Sequence, residues 1–241
     1  MNHAVHGIMT TIASNLQAVR IAIAEAAVSA GRSSDEVTLL AVSKTFAHDA
    51  IREAYLAGQT RFAENYVQES VEKIAALHDL PIEWHFIGPI QSNKTRTIAE
   101  SFFWVHSVDR LKIAERLSEQ RPKDLPALQI CLQVNISGEE SKSGISPDEV
   151  DELAIIISNL PQIRLRGLMA IPAPSEDAQM QRQPFAQLKE IFERLNSHGL
   201  NLDTLSIGMS HDFPAAISEG ATMVRIGTAI FGNRHYGEKH S

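Results

Sequence analysis

Two groups of residues, one near each end of the chain, have the types and spacing for covalent chemistry on a phosphorylated carbonyl compound. The first is Lys44, which closes the run Val37-Thr-Leu-Leu-Ala-Val-Ser-Lys-Thr45. An apolar, β-branched run of that length reads as a buried strand of a parallel sheet. Lys44 is therefore placed at the strand's carboxyl end, where α/β sheets and barrels bind their ligands. Partial desolvation there lowers the pKa of a lysine and provides a neutral amine able to attack a carbonyl. The plainer alternative is a solvated lysine that only marks the end of the strand. The second group is Ser206-Ile-Gly-Met-Ser210 with Met223-Val-Arg-Ile-Gly-Thr-Ala-Ile-Phe-Gly232. Each is a strand end passing into a glycine-containing turn and a short helix, which offers backbone N–H groups and hydroxyls to a phosphate. Gly208 and Gly227 are flanked by Ser210 and Thr228; read without a ligand, they are turn glycines and nothing more.

Two further stretches border these groups. In Glu83-Trp-His-Phe-Ile-Gly-Pro-Ile-Gln-Ser-Asn-Lys94, Gly88 and Pro89 end a buried strand and Ser92 is placed to cap the next helix. His85 alternates with Trp84 and Phe86, so it is expected to point inward as a satisfied core histidine. Asn65, in Ala63-Glu-Asn-Tyr-Val-Gln-Glu69, lies at another strand end and within reach of the same ligand.

Positioning these residues requires a scaffold, and the hydrophobic periodicity supplies one. A lead-in helix over Thr11 to Ala30 carries Ile12, Leu16, Val19 and Ile23 on one face and stops at Gly31. After the Lys44 strand, short apolar runs alternate with longer amphipathic ones. Strands are expected at Arg61 to Ala63, Glu83 to Ile87, Phe103 to His106, Ala127 to Asn135, Arg164 to Met169, Thr204 to Ile207 and Met223 to Arg225. Helices are expected at Asp49 to Leu56, Glu69 to Leu77, Ser92 to Ser101, Arg110 to Gln120, Pro147 to Leu160, Gln183 to His198 and Phe213 to Glu219. Strict βα alternation argues for a parallel sheet, and eight units favour closure into a single (β/α)8 TIM barrel with an extra N-terminal helix. The expected domain spans residues 11–234, between a flexible terminus (1–10) and a flexible tail (235–241). Pro172 to Arg182 is the one long irregular loop expected, either a lid or a simple surface loop.

Composition excludes several other functions. The 241-residue chain has an ordinary apolar fraction of 44% and a net charge of -7, which argues against a sequence-independent grip on nucleic acid. It contains no Gly-x-x-x-x-Gly-Lys-Ser/Thr loop, no Gly-x-Gly-x-x-Gly fingerprint and no Gly-x-Ser-x-Gly elbow. Of its ten histidines, His78, His85, His106, His198 and His211 show no paired metal-ligand spacing, and His3 and His6 lie in the terminus expected to be flexible. Cys131 is the single cysteine, so no intramolecular disulfide forms, and its apolar run reads as core. No signal peptide or membrane span is expected, and the expected location is cytoplasmic.

Seven blocks resemble the pyridoxal 5′-phosphate homeostasis protein family, in that family's order: Ala41-Val-Ser-Lys-Thr45, Glu64-Asn-Tyr-Val-Gln68, Trp84 to Lys94, Ser141-Lys-Ser-Gly-Ile145, Arg166-Gly-Leu-Met-Ala-Ile171, Ser206 to Ser210, and Met223 to Thr228. They span about residue 11 to residue 232. The resemblance implies a fold-type-III barrel similar to the N-terminal domain of bacterial alanine racemase, with pyridoxal 5′-phosphate held as an aldimine on Lys44. It further implies Ser210, Gly227 and Thr228 as phosphate ligands and Arg225 as the arginine facing the pyridine nitrogen. Asn65, Ser206 and Met209 complete the expected cofactor-binding set.

A permanent cation at Arg225 disfavours ring protonation and weakens the cofactor as an electron sink. Racemisation also needs a second base, which in alanine racemase is a tyrosine from a C-terminal β-domain; that domain is expected to be missing here. Tyr55, Tyr66 and Tyr236 are poorly placed to replace it. The expected function is thus a non-enzymatic carrier that buffers or delivers the cofactor, with no catalytic residue, no metal, no membrane or nucleic-acid partner, transient contact with apo pyridoxal phosphate enzymes, and a monomeric state. The rival readings are a low-activity racemase or related pyridoxal phosphate enzyme and a Schiff-base aldolase acting on a sugar phosphate. The family is thought to use further lysines in release, and Lys142 is a candidate. Many members carry a second lysine two residues after the first; this chain has Phe46.

Overall fold

The computed structural model describes residues 10–140 and 143–233. The two expected flexible ends, apart from Thr10, lie outside the described residues, as do Lys142 and Tyr236. Eight parallel strands close into one barrel in sequential order. They are β1 (Thr38–Val42), β2 (Arg61–Glu64), β3 (Glu83–Phe86), β4 (Trp104–Val108), β5 (Leu128–Gln133), β6 (Ile163–Met169), β7 (Thr204–Ser206) and β8 (Met223–Ile226). Closure is made by β1 against β8, with Leu40 opposite Arg225 and Ala41 opposite Ile226.

The period-two alternation of strand side chains sorts each strand into two cores. Leu40, Val42, Ala63, Ile87, Trp104, Cys131, Met169 and Met223 fill the lumen, whereas Ala41, Phe62, Phe86, Val105, Leu132, Leu205 and Val224 pack outward under the helices. The helices carry matching apolar stripes. α1 (Thr11–Ser29) buries Leu16, Val19, Ile23 and Ala27, one side chain per turn, and Thr10 caps it by accepting from Ala13 N–H at 3.1 Å. α2 (His48–Leu56), α3 (Val67–Ala76), α4 (Thr95–Ser101), α5 (Leu111–Gln120), α6 (Val150–Ser158), α7 (Ala178–Ser197), α8 (Phe213–Ser218) and α9 (Thr228–Phe231) follow the strands in turn. α1 packs beside α8 and α9, where Asn15 Nδ2 donates to the Ile230 carbonyl at 2.9 Å.

Several boundaries differ from the sequence reading, and three of the differences change how a named residue is placed. β1 ends at Val42, so Lys44 lies in the turn that follows rather than on the strand. α7 begins at Ala178, because the Asp177 carboxylate accepts from Met180 N–H and caps it, so half of the expected loop is helix. Ser92 lies inside a 3₁₀ turn (Ser92–Lys94) and offers its carbonyl to Thr95 and Arg116 instead of capping α4.

Close packing of strands leaves no room for a side chain at Gly167, paired with Thr204 across β6 and β7. A Cβ there would stand 1.7 Å from the Thr204 carbonyl oxygen. Gly167→Ala is expected to cost about 3 kcal/mol through overpacking and to lower the thermal midpoint by about 10 °C; a midpoint within 2 °C of the wild type, by calorimetry, would contradict this packing.

Candidate functional site

At the carboxyl end of the barrel a cavity of about 310 Å³ opens over the ends of several strands, β1 and β8 among them. Alternation explains its lining. Lys44 continues the inward phase of Leu40 and Val42, Asn65 that of Ala63, and Gly227 that of Met223 and Arg225. Lys44, Asn65, Met209, Ser210, Arg225, Gly227 and Thr228 all line this space. Ser206 does not: it is fully buried behind Arg225. The Arg225 guanidinium donates to the Ser206 carbonyl at 2.6 Å, the Ser206 hydroxyl at 2.8 Å and the Ala170 carbonyl at 3.0 Å. Burial pushes Arg225 down to about 10, so it remains a cation at neutral pH.

The phosphate-type turns border the same cavity. Gly208 has φ 99°, a left-handed conformation, and a Cβ there would meet the Ala216 Cβ at 2.8 Å. Asp212 secures the same turn by accepting from Met209 N–H at 2.7 Å. Gly227 precedes α9, whose first N–H groups have no intrahelical acceptor. Ser210 and Thr228 bring hydroxyls to the cavity, and His211 and Phe46 line it as well. Phe46 stacks on Phe231 with ring centroids 5.0 Å apart. Neither His211 nor Phe46 was foreseen as lining; only adjacency to Ser210 and Lys44 hinted at them. The Asn65 Oδ1 is buried without a hydrogen-bond partner. An orphaned acceptor in a cavity wall is costly unless a ligand supplies the donor.

The turn that presents Lys44 is itself clamped. Thr45 has φ 70°, strained for a β-branched residue. Its N–H donates to Glu69 Oε1 at 2.5 Å. Lys73 Nζ, almost wholly buried, donates to the Ser43 carbonyl at 2.7 Å, Glu64 Oε1 at 2.7 Å and Glu69 Oε1 at 2.5 Å. The backbone on both sides of Lys44 is therefore tied to α3. The Glu69/Lys73 spacing is an i,i+4 pair visible in sequence, but Glu64 joins it only in three dimensions. Glu64 Oε2 has no partner, and burial pushes the Glu64 carboxyl up to about 7, against the opposing charge of Lys73.

Other expected features fall elsewhere. His85 is fully buried and hydrogen-bonded at both ring nitrogens, to His106 and Glu83 at 2.8 Å each. Cys131 is buried in the lumen, where desolvation pushes its thiol up to about 12. Among the described residues no cluster of three His, Cys, Asp or Glu is arranged to hold a metal, and no helix is long and apolar enough to cross a membrane.

Residues 10–235 match the family described as alanine racemase, N-terminal domain. The chain is 61% identical over 229 residues to the pyridoxal phosphate homeostasis protein of Pseudomonas aeruginosa, covering 95% of this chain and 98% of the relative. It is 55% identical over 234 residues to the protein of that name from Escherichia coli K12, covering 96% of this chain and 100% of the relative. The structure of PipY from Synechococcus elongatus with pyridoxal phosphate bound superposes with a TM-score of 0.81 at 39% identity, over 92% of this chain and all of that one. Alanine racemase from Corynebacterium glutamicum, at 18% identity and a TM-score of 0.70, shares the fold over 96% of this chain and 64% of its own.

The raised Glu64 pKa has a definite sign. Between the ordinary carboxylate range and about 7 the folded state holds more protons than the unfolded one, so Glu64's contribution to stability falls as pH rises through that window. The stability advantage of the wild type over Glu64→Gln is expected to shrink from pH 5 to pH 8 in paired thermal melts, and an advantage that grows with pH would refute the buried neutral carboxyl.

Proposed function

The chain belongs to the pyridoxal phosphate homeostasis proteins, within the alanine racemase N-terminal-domain family, and from that premise we propose that it binds pyridoxal 5′-phosphate covalently through Lys44 and holds it for delivery. The observation that carries this reading is that Lys44, Arg225 and the Ser210, Gly227 and Thr228 turns all line one cavity. When bound, the cofactor supplies an aldehyde for the lysine and an electron-accepting ring. The residues fit it: an inward lysine on a clamped turn, hydroxyls and helix-start N–H groups for a phosphate, a cation on the floor, and the orphaned Asn65 Oδ1 in need of a donor.

Holding rather than turnover is supported by the acid and base groups in the cavity. The Arg225 cation disfavours protonation of a ring nitrogen beside it, which weakens the ring as an electron sink. The two described tyrosines, Tyr55 and Tyr66, do not line the cavity, so neither serves as a second base opposite Lys44. His211 does line it, with a half-exposed side chain 3.5 Å from Asp212. A racemase-like reading has to assign the second base to His211. In the carrier reading the chain works in the cytoplasm as a monomer and meets apo enzymes transiently.

The wild type mixed with pyridoxal 5′-phosphate is expected to acquire a visible absorption band that survives gel filtration, and borohydride is expected to fix the cofactor on Lys44. Lys44→Ala should lose both; a wild type that stays colourless refutes the reading. The carrier and racemase readings separate on deuterium exchange at Cα of alanine: exchange no faster than with free cofactor is expected, and exchange that is faster and lost in His211→Ala would establish the enzyme.

A further inference from the structure

The barrel lumen contains a polar file that the cavity does not use directly. Glu83, the first residue of β3, lies at the amino-terminal rim with its side chain 38% exposed and Arg61 3.3 Å away. Its Oε1 is 2.8 Å from His85 Nε2, His85 Nδ1 is 2.8 Å from His106 Nε2, and His106 Nδ1 is 2.7 Å from Ser206 Oγ. Ser206 Oγ accepts from Arg225. The file thus crosses from β3 and β4 to β7 and β8, and runs from the amino-terminal rim to the cavity floor. Both imidazoles and Ser206 are fully buried, and His85 is stacked on Trp104 with ring centroids 5.4 Å apart.

The two charged ends fix the direction of every link. An ionised Glu83 only accepts, so His85 must carry its proton on Nε2. Burial holds both histidines below their ordinary pKa, so each ring has one proton. His85 Nδ1 is then an acceptor, and His106 must donate from Nε2. His106 Nδ1 is in turn an acceptor, which claims the single Ser206 hydroxyl proton. That leaves the Ser206 lone pairs for the guanidinium. Reversing any one link would set an unprotonated nitrogen against a carboxylate or a hydroxyl proton against a cation.

We propose that Glu83, His85, His106 and Ser206 are positioning residues, a one-way hydrogen-bond chain from Arg225 to Glu83 that fixes the guanidinium for the cofactor ring. The chain goes beyond the carrier function and assigns Ser206 as a support rather than a ligand. Its effect on cofactor affinity rests on the proposed binding of pyridoxal 5′-phosphate; its proton arrangement does not.

Nitrogen-15 NMR of the ligand-free protein at neutral pH tests the arrangement. Both rings are expected to be neutral with the proton on Nε2, and a His106 protonated on Nδ1, or either ring doubly protonated, overturns the proposal. Glu83→Leu lies far from the cavity and removes the terminal acceptor together with the rim ion pair to Arg61. It is expected to mix the tautomers of both rings, to shift the visible band of the loaded protein and to weaken binding of pyridoxal 5′-phosphate roughly threefold. Ser206→Ala is expected to weaken it about tenfold, the scale of a lost hydrogen bond to a charged group, and Ser206→Thr, which keeps the hydroxyl, to recover most of that. A folded Glu83→Leu with wild-type tautomers, absorption and affinity overturns the proposal. A wild type that fails to bind the cofactor while showing the expected tautomers refutes the carrier function and leaves the proton arrangement standing.

Discussion

Pairing of β1 with β8 is the constraint on which the rest of the site depends. The register that sets Leu40 opposite Arg225 and Ala41 opposite Ile226 joins the two ends of the sheet. Strand alternation then decides which side chains face the lumen, so closure brings Lys44, Arg225 and Gly227 onto the same wall. An open sheet with the same strands would leave β1 and β8 at opposite edges, with the lysine and the phosphate-type turns far apart. The site is therefore a property of closure, and the outer helices support it chiefly by burying the outward half of each strand.

Closure also creates a problem, because a barrel lumen is normally filled by branched apolar side chains. Here one part is apolar, with Leu40, Val42, Cys131 and Met169, and the other holds Arg225, His85, His106 and Ser206. An unpaired buried guanidinium costs several kcal/mol. Carbonyls of Ser206 and Ala170 and an ordered file of dipoles offset that cost. The cation can then stand on the cavity floor with no carboxylate hydrogen-bonded to it among the described residues, Asp212 acting on it only through its charge.

The Lys44 turn shows the complementary device. The Thr45 backbone adopts a conformation that a β-branched residue disfavours by about 1–2 kcal/mol, and the contacts of Glu69 and Lys73 on either side hold it there. A reactive amine on a freely moving loop would lose most of its orientation between encounters, whereas a strained, over-determined turn presents it in one direction. The cavity thus carries the lysine and the turns around Ser210 and Thr228 on backbone that is held in place.

The sequence by itself determined the barrel, the lead-in helix, the place of Lys44 near the end of β1, and the two glycine-containing turns. These are local signals: apolar runs, period-two alternation and residues whose backbone or hydroxyl chemistry acts where they stand. The capping of α7 by Asp177 was local too, yet it was masked by the polar composition of the stretch before Gln183. Only the tertiary structure decided that Ser206 supports Arg225 instead of facing the cavity, that Glu64 joins Glu69 and Lys73 behind Lys44, and that His85 meets His106. Alternation tells which face of a strand a residue occupies. It does not tell which residue on another strand stands level with it, because that depends on stagger and tilt around the closed sheet, and no single segment encodes those.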